Sequence, residues 1–144
     1  MDIIICGIQS TPLDFLSQMA DNLLHDRLPR SYLATLSDNE KIDALRACLI
    51  IWILTQGTIV PRVFQIQASL AMLQQHDSII TTGTGSGKTL CLLIPMLLQP
   101  ESITLTILLL KHLQTTQVRL VLAWACSINC IIWYGRFWSA KSTT

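Results

Sequence analysis

The chain has 144 residues, of which 51% are apolar and only 13% charged, with a formal net charge of +1. That length allows one modest core and speaks against two full domains, and the charged fraction lies well below the ~25% usual in soluble domains. A net charge near zero names no partner, but its distribution is uneven: Met1 to Leu45 carries seven acids against three bases, whereas from Ser102 onward there are four bases (Lys111, Arg119, Arg136, Lys141) and no acid.

The opening MDIIICG lacks a basic n-region and a long apolar run, so no signal peptide is expected. Thr11-Pro12-Leu13-Asp14 reads as a helix start, with Thr11 as cap, Pro12 in the first turn and Asp14 at the positive end. Leu13, Leu16, Met19, Ala20, Leu23 and Leu24 then form one apolar stripe, which Leu28-Pro29-Arg30 interrupts. Ser37-Asp38-Asn39-Glu40 has capping-box spacing, and Ile42, Leu45, Leu49, Trp52 and Ile53 continue a helical face to about Leu54. Gln56-Gly57-Thr58 makes a turn, Ile59-Val60-Pro61 is extended, and a third helix is expected from Arg62 to Gln75.

His76-Asp77 leads into an apolar strand over 78–82, followed by the glycine-rich stretch Thr81 to Thr89 and a helix over 88–98. After Gln99-Pro100-Glu101, the β-branched and leucine-rich run Ile103 to Leu110 reads as a second buried parallel strand. The order strand, loop, helix, strand is a βαβ unit, and a third strand is expected around Leu120 to Ala125. Leu120 to Trp138 is apolar, but Ser127, Asn129, Gly135 and Arg136 interrupt it, so no stable membrane association is expected. The five cysteines include no CxxC pair and no accompanying histidine cluster. Free buried thiols in a reducing compartment, the nucleus or another intracellular one, fit better than zinc or disulfides.

The stretch TTGTGSGKT carries the chemistry. Gly83, Gly85 and Gly87 alternate with Thr84 and Ser86, a spacing that lets backbone N–H groups approach a phosphate closely. Lys88 suits the β- and γ-phosphates, and the Thr89 hydroxyl suits magnesium, so ATP and Mg2+ are the expected ligands. The strict form GxxxxGK[ST] has glycine where Thr82 stands, so this is a variant phosphate loop. A glycine-rich turn with no ligand is the plainer alternative, which the intact GSGKT and its flanks disfavour.

Upstream, Pro61-Arg62-Val63-Phe64-Gln65 resembles the adenine-reading motif of superfamily 2 DEAD/DEAH-box helicases, and its R-x-x-Q form is similar to the RecQ branch. Lys88 follows Gln65 by 23 positions, and Cys91 with Ile94-Pro95 resembles the helix after the loop in that family. The resemblance spans roughly Ile59 to Val118. It implies that the Gln65 carboxamide pairs with adenine and Arg62 stacks on or orients near the base, with Thr82, Gly83, Thr84, Gly85, Ser86, Gly87, Lys88 and Thr89 around the phosphates and magnesium. Taken alone, Arg62 and Gln65 read as ordinary exposed helix residues. It also implies DNA as a partner, touched by Lys111 and Gln117 in a segment where Leu108 and Leu109 replace the expected Ser-Pro.

The fold class expected on this basis is α/β: an incomplete P-loop (RecA-like) parallel sheet preceded by an N-terminal helical segment. The segments are 1–57 helical, 58–118 a partial helicase ATP-binding lobe, and 119–144 a divergent apolar tail unlike the helicase core, with a composition that a shifted reading frame or gene-model error would produce. No acidic side chain lies in 102–144 to serve as the magnesium-holding motif II. The expectation is thus a truncated, ATP-binding, nucleic-acid-binding helicase fragment with weak nucleotide affinity and no unwinding, self-associating through open sheet edges. Another phosphate-loop NTPase is one alternative. A non-enzymatic interaction fragment, using the helices before Leu54, is the other.

Overall fold

A computed structural model describes residues 7–99, 101–102, 104–107, 130–134 and 137–140. The chain divides into two compact units, Met1–Leu98 and Gln99–Thr144.

In the first unit a helical turn at residues 7–10 precedes α1, Leu13–Leu24. Thr11 does not cap α1. Its hydroxyl instead donates to the Gly7 carbonyl at 2.6 Å, and Pro12 holds the cap position with no side-chain bond. A 3-10 turn, His25–Arg27, and the short α2, Arg30–Leu33, lead to α3, Asp38–Leu54. The capping box expected at Ser37 forms: the Ser37 N–H donates to the Glu40 carboxylate at 2.9 Å and its hydroxyl at 2.6 Å. The other Glu40 oxygen accepts from Gln74 Nε2 at 2.8 Å, which ties the start of α3 to the end of α4, Val63–Leu73. These bonds to the ionised form hold the Glu40 carboxyl below the ordinary carboxylate range, the Ser37 hydroxyl foremost.

α3 is the centre of the unit, with α1, α4 and α5, Thr89–Leu98, packed around it. Ala44, Leu45, Ala47, Cys48, Leu49, Ile50 and Ile51 are all buried, so the helix is enclosed on nearly every side rather than along one stripe. α1 contributes Leu16, Ala20 and Leu24, α4 contributes Ile66 and Leu70, and α5 contributes Leu90, Leu93, Ile94 and Met96. Each large side chain removed from water in this way is worth about 1.5–3 kcal/mol against full exposure. α3 ends at Gln56 and Gly57, both at positive φ, where the Gly57 N–H returns to the Trp52 carbonyl at 2.8 Å. The Arg27 guanidinium lies over the Trp52 ring, 5.2 Å from its centroid.

Among the described residues, the parallel P-loop sheet expected from the sequence is not formed. Residues 78–82 are not a strand, Ile79 is 92% exposed, and no strand lies among the described residues of the first unit. A strand persists only where neighbouring strands take its N–H and C=O groups. The run expected to flank it pairs elsewhere: β1, Thr104–Ile107, lies parallel to β2, Cys130–Tyr134, with Thr104 opposite Cys130 and Ile107 opposite Trp133. β2 also pairs antiparallel with β3, Phe137–Ala140, with Trp133 opposite Trp138. The second unit thus holds a small mixed sheet in the order β1-β2-β3, two of whose strands come from the stretch read as a divergent tail. The third strand expected at Leu120 to Ala125 lies outside the described residues. Among the described residues, no helix is long and apolar enough to cross a membrane.

Candidate functional site

The helices α4 and α5 pack side by side, and the glycine-rich loop enters α5 directly. Gly85 and Gly87 take φ of 79° and 83°, values that only glycine adopts without strain. Thr84 to Ser86 form the tight turn, and the Leu90 and Cys91 N–H groups close onto the Gly87 and Lys88 carbonyls at 3.0 Å to start the helix. Loop residues are exposed except for the half-buried Ser86 and Thr89.

The N–H groups of Thr84, Gly85, Gly87, Lys88 and Thr89 have no hydrogen-bond partner among the described residues. They cluster at the positive end of a ten-residue helix with no acid in its first turn. That donor set fits a phosphate group. Lys88 is folded back on the loop, its ammonium donating to the Thr82 carbonyl at 2.7 Å and the Gly83 carbonyl at 2.8 Å. The Thr82 and Ser86 hydroxyls share a bond of 2.7 Å across the same turn. Among the described residues no group of three or more His, Cys, Asp or Glu side chains is placed to hold a metal ion.

Arg62 and Gln65, singled out from the sequence, sit at the start of α4, and Gln65 meets the loop. Arg62 is exposed and occupies the N-cap position. Gln65 is 3% exposed. Its Oε1 accepts from the Arg62 N–H at 2.8 Å, and its Nε2 donates to the Gly87 carbonyl at 2.9 Å and the Ser86 carbonyl at 3.3 Å. The structure thus joins Gln65 to Ser86 and Gly87 of the loop and, through the Arg62 N–H, to Arg62, while Lys111 and Gln117 lie outside the described residues.

The sequence reading did not single out Ser69, which bonds the main chain behind Gln65. It is 1% exposed, and its hydroxyl donates to the Gln65 main-chain carbonyl at 2.7 Å and lies 3.5 Å from the main-chain carbonyl of Cys91. The signal was a lone hydroxyl four positions after Gln65 in an apolar helix. Burial pushes the Cys91 thiol up, only partly offset by a backbone hydrogen bond and the nearby Lys88 charge, so it stays protonated. Beside the loop, a groove of about 340 Å³ runs between α4 and the incoming chain, lined by Phe64, Gln67, Ile79, Ile80 and Thr82.

The family model of the DEAD/DEAH box helicase matches residues 62–137, just over half of the chain. The match begins at Arg62 and ends at Phe137. Neither the curated proteins nor the solved structures give a match. The family pairs ATP binding with nucleic-acid binding, and the loop geometry agrees with the first of these. This chain belongs to the DEAD/DEAH box helicase family.

Proposed function

We propose that the chain binds a nucleoside triphosphate, ATP in the first instance, through the loop 82–89, as part of a helicase of the RecQ-like type. The observation that carries the reading is the set of N–H groups of Thr84, Gly85, Gly87, Lys88 and Thr89, unpartnered among the described residues at the start of α5, beside the Lys88 ammonium. Backbone N–H groups on a helix end donate to phosphate oxygens without rearrangement of side chains. Lys88 leaves the Thr82 and Gly83 carbonyls for the β- and γ-phosphates, a stronger, charge-assisted pairing. Thr89 supplies its hydroxyl to the magnesium that accompanies the nucleotide.

The RecQ-like subtype rests on the spacing of Arg62, Gln65 and Lys88 in the sequence. DNA contact rests on family membership, with Lys111 and Gln117 as the candidate residues. Hydrolysis is a separate matter, because phosphoryl transfer needs an acid to hold magnesium and position water. Residues 102–144 contain none. The chain is accordingly proposed to hold the nucleotide without turning it over. Binding of a fluorescent ATP analogue, run beside a phosphate-release assay, checks both halves: saturable binding without release is expected, whereas Lys88-dependent release would overturn the second half.

A further inference from the structure

We infer that a second ligand site, independent of the loop 82–89, lies among the N-terminal helices. The pocket between α1, α2 and α3 takes a small amphipathic carboxylate: one negative charge on a short apolar body. The cavity measures about 200 Å³ and is lined by residues between Ser17 and Leu45, ahead of the stretch 62–137 that carries the family match. Leu28, Leu33 and Leu45 line it and are all buried, so a hydrocarbon set against them is drawn out of water. The helices place the other groups one turn apart, Ser17 and Asp21 on α1 and Lys41 ahead of Leu45 on α3.

The charges select the ligand. Arg30 Nη2 meets Asp21 Oδ1 at 2.9 Å, so these two compensate each other. Lys41 is half-buried, and its ammonium has no ion pair or hydrogen bond among the described residues. The Ser17 hydroxyl is likewise without a hydrogen bond among the described residues and adds a neutral donor to the same cavity. A carboxylate gives the ammonium the charge-assisted bond that it lacks. Lys41 repels a cationic ligand, and the Asp21 carboxylate in the same cavity opposes a second negative charge. One uncompensated cation therefore matches one anion. The volume lies below the roughly 300–1,000 Å³ of sites for drug-sized ligands, which keeps the apolar body short.

Titration of the whole chain with hexanoate, followed by amide chemical shifts in two-dimensional NMR, tests this beside three comparison ligands. Hexanol keeps the body without the charge, hexylamine reverses the charge, and acetate keeps the charge without the body. Hexanoate is expected to saturate with a Kd of about 1 mM and to move the Leu33, Lys41 and Leu45 amides. The other three should bind about tenfold more weakly or less. Lys41→Gln is expected to weaken hexanoate by about tenfold. Asp21→Asn acts in the opposite sense and tightens it about threefold, because Arg30 is then released to the cavity. The Asp21–Arg30 pair is exposed, so breaking it leaves the fold in place, and unchanged amide shifts away from the pocket verify this. The inference would be overturned by the absence of saturable shifts at the three amides, or by hexylamine or acetate binding as tightly as hexanoate. Unchanged affinity in Lys41→Gln, or weaker affinity in Asp21→Asn, would overturn it as well.

Discussion

Gln65 and Gly87, 22 residues apart in the chain, meet at 2.9 Å, the side-chain amide of one donating to the carbonyl of the other. Through this bond the start of α4 and the entrance of α5 form one corner. A side chain on Gly87 would have to enter that corner at a φ of 83° and within 2.7 Å of the Gln65 nitrogen.

Gly87→Ala therefore combines backbone strain with displacement of a buried amide. A loss of about 2 kcal/mol or more is expected in urea unfolding. Gly83→Ala serves as the control, since nothing lies within 4 Å of its added Cβ and its φ is not positive. Its change should stay within about 0.5 kcal/mol.

Cys48 gives stability a dependence on alkaline pH. Burial pushes its thiol from 9.0 up to about 12. The folded chain then binds a proton that the unfolded chain releases, so the stabilisation is complete below pH 9 and is lost as pH rises toward 12. The slope of this one group reaches about 1 kcal/mol per pH unit, and Cys48→Ala should flatten the urea-midpoint profile above pH 9 by that amount. An unchanged profile would show that the thiol is not buried as described. Thiol reagents should leave Cys48 and Cys91 unlabelled until the chain unfolds.

The start of α3 depends on Ser37. Replacing it by alanine removes the hydroxyl that meets Glu40 at 2.6 Å and costs about 1 kcal/mol. The depressed Glu40 carboxyl adds a sign: its contribution is present above its unfolded pKa and fades as pH falls through the lower folded value. Thermal melts of Ser37→Ala against the parent should therefore differ more at neutral pH than in acid.

Ile50, wholly buried in α3, tests the position of that helix at the centre of the unit. Ile50→Ala is expected to cost about 2–5 kcal/mol, a range set by how far α1, α4 and α5 can close on the cavity. A cost below about 1 kcal/mol would place α3 at the surface instead.

Much of the helical unit was legible in the sequence because its signals are local. The Ser37–Glu40 box, the Pro12 and Pro61 boundaries and the glycines at 83, 85 and 87 each act on their own neighbours. What failed was long-range. The β-branched residues at 79–82 look like a strand, but whether they become one depends on partners far along the chain. The pairing of Thr104–Ile107 with Cys130–Tyr134 has no local cue, since the later stretch shows no clear period. The seven buried positions of α3 likewise exceed one amphipathic stripe, because a helix enclosed by three others needs no polar face. At the site, the motif residues were found, but the bonds that occupy Gln65 run to Ser86 and Gly87, which no spacing rule reveals.

Calorimetric titration of magnesium–ATP into the chain and into Lys88→Ala tests the central claim most directly. The parent should show saturable binding with one site, weakened about tenfold or more in the variant, which loses the ammonium now held by the Thr82 and Gly83 carbonyls. Equal affinity of the two chains, or no heat of binding at about 1 mM nucleotide, would contradict the assignment of 82–89 as a phosphate site.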